Sequence, residues 1–123
     1  YFLDLFFGER EEKLYEVCLD AKGRLLACHL VAEGDTDSVQ LNMRKIVENA
    51  LKCGASSVLL AHNHPSGVAL PSPSDNATTL SVFDALRTVG VELADHIIVA
   101  DDDFVSLRHN GLLPERKGNG YGI

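Results

Sequence analysis

The fold depends on residues 58–75, which read Val58-Leu59-Leu60-Ala61-His62-Asn63-His64-Pro65-Ser66-Gly67-Val68-Ala69-Leu70-Pro71-Ser72-Pro73-Ser74-Asp75. The apolar run at the start is typical of a strand in the middle of a sheet. Two histidines at i and i+2 follow directly, so an extended backbone points both imidazoles to the same side. Prolines then stiffen a loop, and the closing Ser-x-x-Asp is the pattern of a helix N-terminus.

The histidines and the carboxylate predict a metal site. His62, His64 and Asp75 form a three-ligand set of the kind that holds catalytic zinc, with a fourth position left to water. The alternatives are that both histidines are polar loop residues, and that Ser72 and Asp75 only cap the helix. A cap would also hold Asp75 in a fixed direction, so capping and ligation are compatible.

The hydrophobic periodicity predicts alternating strands and helices. Strands are expected at 14–19, 24–32, 57–61, 96–100 and 104–107, and helices at 40–53 and from 72 to Gly90. The first helix should bury Leu41, Met43, Ile46, Val47, Ala50 and Leu51. The second should bury Ala77, Leu80, Phe83 and Leu86. The resulting fold class is α/β, of the α+β type, with a curved mixed β-sheet flanked by helices.

Length and charge limit the function further. The 123 residues suit a single domain, with residues 1–11 as a lead-in and residues 116–123 as a flexible tail. The chain begins with Tyr1 rather than Met, so we expect it to be part of a longer protein. The sequence contains no run of 18 apolar residues, so we expect no membrane-spanning helix. The net charge of −7 argues against autonomous nucleic-acid binding, which depends on Lys and Arg neutralising phosphates.

The cysteine pattern indicates a reducing compartment. Cys18, Cys28 and Cys53 form an odd set without a C-x-x-C motif, and each lies in an apolar segment. We therefore expect three buried free thiols and a cytoplasmic protein.

Between Glu12 and Leu113 the chain resembles the RadC-type branch of the JAMM (MPN-plus) metalloprotease family. The spacing H-x-H-x7-S-x2-D matches the metal motif of that family. The stretches that carry the resemblance are Glu12-Lys13-Leu14-Tyr15-Glu16-Val17-Cys18-Leu19-Asp20, Ala61-His62-Asn63-His64-Pro65-Ser66-Gly67, Asp95-His96-Ile97-Ile98-Val99 and Val105-Ser106-Leu107.

The resemblance implies a cytidine-deaminase-like or JAMM sandwich, one Zn²⁺ per chain, and hydrolysis of a peptide or isopeptide bond. It also implies that this is the C-terminal domain of a longer protein, since RadC-type members look like a helix-hairpin-helix region followed by such a domain. It implies that Glu12 is the general base and then the general acid, counting back from Leu19-Asp20. Glu16, on the same strand face, is the alternative base. Ser72 would donate a hydrogen bond to the oxyanion of the reaction. His96 is either a partner of the metal ligands or a structural histidine.

Two other functions belong to different classes. RadC-type proteins carry a historical DNA-repair label, so an accessory role in DNA repair is one alternative. A non-catalytic MPN-like interaction domain is the other, although such domains typically lack the metal ligands. The substrate is expected to be a peptide or protein, and the sequence does not specify which one.

Overall fold

The computed structural model describes residues 5–34, 41–65, 67–101 and 103–114. Along these residues the elements are β1 (Lys13–Leu19), β2 (Leu25–Glu33), α1 (Met43–Lys52), β3 (Ser57–Asn63), α2 (Pro73–Thr88), β4 (Glu92–Ala100) and β5 (Asp103–Ser106). A mixed sheet with two helices is an α+β fold, which confirms the predicted class. The lead-in lies partly outside the described residues, and the expected tail lies wholly outside them. No helix in the described ranges has the length and apolar character needed to cross a membrane.

The sheet places β3 at its centre. The strand order is β2-β1-β3-β4-β5. β1 and β2 form the predicted antiparallel hairpin, whose turn is closed by a bond from Gly23 N to Asp20 O at 2.9 Å. β3 pairs antiparallel with β1 and parallel with β4, and α2 makes the crossover that a parallel pair requires. The start of β1, the end of β3 and the start of α2 therefore lie close together.

Both helices pack on one face of the sheet. Alternation along β3 sends Val58 and Leu60 into this core, and Leu60 is fully buried. Burying a leucine completely stabilises the fold by roughly 1.5–3 kcal/mol. The core is completed by Leu14, Cys18, Ile46, Ala50, Val82, Leu86, Val91, Leu93 and Leu113. Ala61 points to the opposite face, where Phe6 of the N-terminal segment covers it.

Two strands are longer than the hydrophobic runs that predicted them. β3 continues to Asn63, so His62 lies inside the strand and only His64 follows it. β4 begins at Glu92 rather than at His96, because its parallel ladder with β3 pairs Ser57 with Glu92. Backbone pairing extends both strands through polar residues that an apolar-run criterion leaves out.

The buried faces of the helices also differ in part from the prediction. In α1, Ile46 and Ala50 are buried as expected, but Leu51 is 53% exposed. The predicted start of α1 at Gln40 lies outside the described residues, and the helix begins at Met43 after its N-cap Asn42.

The buried face of α2 contains polar residues. It consists of Asp75, Thr79, Val82 and Leu86, whereas Ala77 and Leu80 are exposed, contrary to the prediction. The apolar periodicity predicted the wrong side of the first two turns, because the buried residues there are polar. Asp75 contacts His62 and His64, and Thr79 contacts His96.

The thiols are less buried than the sequence predicted. All three cysteines are free, and Cys18 is buried in the core. Cys28 is exposed and Cys53 is half-buried, so the prediction of three buried thiols was wrong. Cys28 lies on β2, an edge strand of the sheet, where successive side chains alternate between the core and solvent.

Candidate metal centre

The two histidines lie side by side at the end of β3. Their ring centroids are 4.9 Å apart, and both residues have little exposure to solvent. His62 is held by the strand ladder, in register with Leu14 of β1. His64 is held by its backbone N–H, which donates to Val99 O of β4 at 2.8 Å. The paired strands therefore fix the backbone from which both imidazoles project.

Asp75 lies between the two imidazoles. Its Oδ1 is 3.2 Å from His62 Nδ1, and its Oδ2 is 3.1 Å from His64 Nε2. The start of α2 fixes the carboxylate: Ser72 N donates to Asp75 Oδ2 at 2.8 Å, and Asp75 N donates to Ser72 Oγ at 3.0 Å. This reciprocal pair is a capping box. The cap and the contact with the histidines coexist, as the sequence allowed.

Glu12 approaches from the other side of His62. Its Oε1 is 3.0 Å from His62 Nε2, and its side chain is 26% exposed. The alternative base, Glu16, lies elsewhere: it is fully buried and accepts a hydrogen bond from Asn49 Nδ2 of α1 at 3.0 Å. The structure thus brings Glu12, and not Glu16, to the histidines. Whether Glu12 is the general base stays a prediction.

These side chains form a group that can hold a metal ion. Glu12, His62 and His64 each offer a ligand atom, and the three atoms lie within 4.8 Å of one another. Asp75 contacts both histidines and offers a second carboxylate. Two imidazoles with carboxylates are donors that suit zinc and other divalent transition metals.

The contact between His64 and Asp75 indicates that a cation would fit between these two side chains. His64 Nδ1 donates to Val68 O at 3.0 Å, which leaves the lone pair of a neutral imidazole on Nε2. Nε2 faces Asp75 Oδ2, which is also an acceptor. Two acceptors at this distance require a cation between them, either a proton or a metal ion. A carbonyl acceptor on the other ring nitrogen is also the usual support of a metal-binding histidine.

Electrostatics keep Asp75 ionised. Burial alone would raise the pKa of its carboxyl group, but hydrogen bonds with His62, His64 and Ser72 N outweigh it and lower that pKa far below its usual range. The hydrogen bond with Asp75 in turn raises the pKa of His64. The site therefore keeps a negatively charged carboxylate between the two imidazoles, and this charge attracts a cation.

Thr79 and His96 form a hydrogen-bonded chain that begins at the backbone of Asp75. The sequence analysis identified His96 but not Thr79. Thr79 Oγ1 donates to Asp75 O at 2.7 Å and lies 2.6 Å from His96 Nδ1. His96 is buried, and burial lowers its pKa to about 3, so the ring is neutral. Its ring centroid lies 5.9 Å from that of His62. Thr79 contacts the backbone carbonyl of Asp75 and not its carboxylate, so both alternatives for His96, a partner of the metal ligands and a structural histidine, stay predictions.

A small cavity and an open groove flank the histidines. A cavity of about 30 Å³ is lined by His62, Asp75, His96 and neighbouring side chains, and it is large enough for one water molecule. A groove of about 530 Å³ runs from His64 along residues 6–10 to Asp101. Phe7, on the rim of this groove, is 91% exposed.

Comparison with known proteins gives one consistent family. Residues 1–112 match the RadC-like JAB domain family. A UPF0758 protein of Photobacterium profundum is 39% identical over 113 residues, which cover 92% of this chain and 50% of that protein. A UPF0758 protein of Alcanivorax borkumensis is 43% identical over 93 residues, covering 76% of this chain and 42% of that protein. A third, from Desulforudis audaxviator, is 39% identical over 101 residues, covering 82% and 44%.

The chain thus spans about half the length of the curated relatives that it matches: 44% of the Desulforudis audaxviator protein and 50% of the Photobacterium profundum protein. The matched part includes β1, β3 and α2, the three elements that bring Glu12, His62, His64 and Asp75 together. From the agreement between this geometry and the family match, we conclude that the chain belongs to the RadC-like JAB domain family.

Proposed function

We propose that this chain is a zinc-dependent hydrolase that cleaves an amide bond, either peptide or isopeptide. The observation that supports it most is a pair of adjacent histidines in contact with two carboxylates. Asp75 bridges His62 and His64, and Glu12 contacts His62 from the opposite side. A metal-holding group and a proton-accepting group are the two parts that such a hydrolase needs.

The two carboxylates divide the roles according to their surroundings. Asp75 is 4% exposed and has a strongly lowered pKa, so it stays ionised and suits a ligand. Glu12 has a side chain that is 26% exposed, so it can reach a water molecule and a substrate. We therefore assign His62, His64 and Asp75 to one Zn²⁺ per chain, and Glu12 to proton transfer.

The chain's own residues then account for the chemistry. Bound zinc would supply Lewis acidity and lower the pKa of water toward neutrality. Glu12 accepts a proton as the water oxygen bonds to the carbonyl carbon, and it returns that proton to the leaving nitrogen as the carbon–nitrogen bond breaks. Ser72 Oγ accepts the helix-capping bond from Asp75 N, which leaves its own O–H able to donate to the substrate oxyanion.

The proposal also covers the substrate of the protein, its compartment and its partners. We propose a peptide or protein substrate that enters along the groove beside His64. Three free thiols support a reducing compartment such as the cytoplasm. The net charge of −7 supports a domain that does not bind nucleic acid by itself.

The proposal is tested with zinc-loaded protein and a library of fluorogenic peptides. Cleavage should be detected with the parent and lost in His64→Ala, which should also bind much less than one zinc. The matched control is His109→Ala, because His109 is exposed in the turn after β5 and should leave both measurements unchanged. Equal cleavage by the parent and His64→Ala would reject the site. Stoichiometric zinc without any cleavage would favour the non-catalytic MPN-like alternative.

A further inference from the structure

Asn63 stands between the two histidines of the motif, yet it points away from them. Alternation along β3 places His62 on the helix side of the sheet and Asn63 on the opposite side. Asn63 is nevertheless 4% exposed, and a buried amide needs hydrogen-bond partners. Those partners show what the residue does.

The side-chain amide of Asn63 binds the backbone on both sides of Glu12. Lys13 N donates to Asn63 Oδ1 at 2.6 Å, and Asn63 Nδ2 donates to Glu11 O at 2.9 Å. Glu11 O belongs to the peptide unit before Glu12, and Lys13 N belongs to the unit after it. One amide therefore restrains both peptide units that determine where the Glu12 side chain starts. The amide satisfies both contacts because it carries an acceptor oxygen and a donor nitrogen.

Glu12 needs such a restraint because it lies just outside the sheet. β1 begins at Lys13, and the register of β1 with β3 ends at the pair Leu14 and His62. The next residue of β3 is Asn63, whose side chain makes bonds of the kind that a strand backbone would otherwise provide. On the side of β2, the backbone N–H of Gly34 donates to Glu12 O at 2.9 Å.

We propose that Asn63 is a positioning residue that holds Glu12 in contact with His62. The inference rests on the proposed function only where it concerns catalysis, because the restraint on Glu12 is a property of the fold. The His-Asn-His pattern then has two functions, which are to supply the metal ligands and to position Glu12. The outer positions face the metal site, and the middle position fixes the residue that moves the proton.

Two substitutions separate the parts of this restraint. Asn63→Ala removes both hydrogen bonds. Asn63→Asp keeps the shape and the acceptor for Lys13 N, but it places a carboxylate oxygen against Glu11 O, where two acceptors repel each other. Asn110→Ala is the control, because Asn110 Nδ2 donates to Ser106 O at 2.8 Å in the turn after β5, away from Glu12.

The first readout does not depend on activity. Amide hydrogen exchange by NMR should show a protected Lys13 N–H in the parent and faster exchange in Asn63→Ala. The imidazole ¹⁵N resonances of His62 should shift in Asn63→Asp and Asn63→Ala in the same direction as in Glu12→Gln, since all three disturb the contact between Glu12 and His62. Unchanged His62 resonances in both Asn63 variants would overturn the inference, whether or not the protein is an enzyme.

The second readout uses the hydrolysis assay. Asn63→Ala and Asn63→Asp should lower kcat by roughly 10–100-fold, the usual effect of losing a partner of a catalytic group, with KM and zinc content unchanged. Combining Asn63→Ala with Glu12→Gln should cost no more than Glu12→Gln alone, because the restraint acts through Glu12. Additive losses would show a general structural role and would also reject the inference. An inactive zinc-loaded parent would reject the proposed function and leave the NMR result to decide on Asn63.

Discussion

The contact of His64 Nε2 with Asp75 Oδ2 is the most chemically demanding feature of the site at the level of single residues. With His64 neutral, both atoms are acceptors, so a cation is needed between them. Metal binding at such a site displaces protons, and metal affinity therefore falls as the pH is lowered. The raised pKa of His64 means that this competition begins at a higher pH than for an ordinary histidine.

Glu12 and Glu16 are separated by a pair of isosteric changes. Glu12→Gln keeps the shape of the side chain but cannot accept a proton, so hydrolysis should fall by roughly 10²–10⁴-fold while zinc stays bound. Glu16→Gln should leave hydrolysis nearly unchanged, because Glu16 contacts Asn49 and not the histidines. Both variants are measured for zinc content and for kcat on the same peptide. The opposite pattern would move the base to Glu16.

Glu16 should affect stability rather than catalysis. Burial raises the pKa of its carboxyl group to about 7, despite the opposing hydrogen bond from Asn49. The folded protein then holds a proton that the unfolded chain loses near pH 4.5, so the contribution of Glu16 to stability is complete below pH 4.5 and is lost as the pH rises to 7. A shift of this size corresponds to roughly 3 kcal/mol.

Urea unfolding of the parent and Glu16→Gln at pH 5 and pH 8 measures this contribution. The parent should lose stability relative to Glu16→Gln between the two pH values, because a glutamine does not ionise. A constant difference between the two proteins at both pH values would show that the pKa of Glu16 is not raised by folding.

Among the elements, the start of α2 carries both a structural and a chemical task. Ser72→Ala removes the acceptor for Asp75 N and should lower the free energy of unfolding by about 1 kcal/mol. It should also weaken zinc binding, because Asp75 loses one of the contacts that fix its direction. Asn42→Ala is the matched control: it removes the N-cap of α1, whose side chain accepts from Lys45 N. Equal zinc affinity in the two variants would mean that the α2 cap does not orient Asp75.

The elements also show how far the sequence could predict the fold and the site. Apolar runs located the five strands of the described residues. The reason is clearest for β3, which is buried on both faces and therefore has apolar residues in succession. The polar residues Asp75 and Thr79 hid the buried face of α2, because hydrogen bonds rather than apolar contacts explain their burial. The restraint on Glu12 by Asn63 could not be read from sequence, since it joins segments 50 residues apart.

For the whole molecule, the metal should add to a fold that is already stable. The core between the sheet and the helices does not include the histidines, so chelation should leave the far-UV circular dichroism spectrum folded. The melting temperature should fall modestly, by an amount that increases with the zinc concentration present before chelation. Thermal melts with and without a chelator measure both effects, with His64→Ala as the control that should not respond. Complete unfolding on chelation would indicate a structural zinc instead.

The pairing of β1 with β3 has a consequence for how the protein is made. Glu12 leaves the ribosome first, and it lies 50 residues before His62, with the α2 carboxylate synthesised later still. A contact between such distant segments needs both of them to be synthesised and the loop between them to close. A nascent chain therefore has no complete metal centre until most of the domain has emerged. Under the proposed function, this order of assembly keeps a partly made hydrolase from attacking the polypeptides around it.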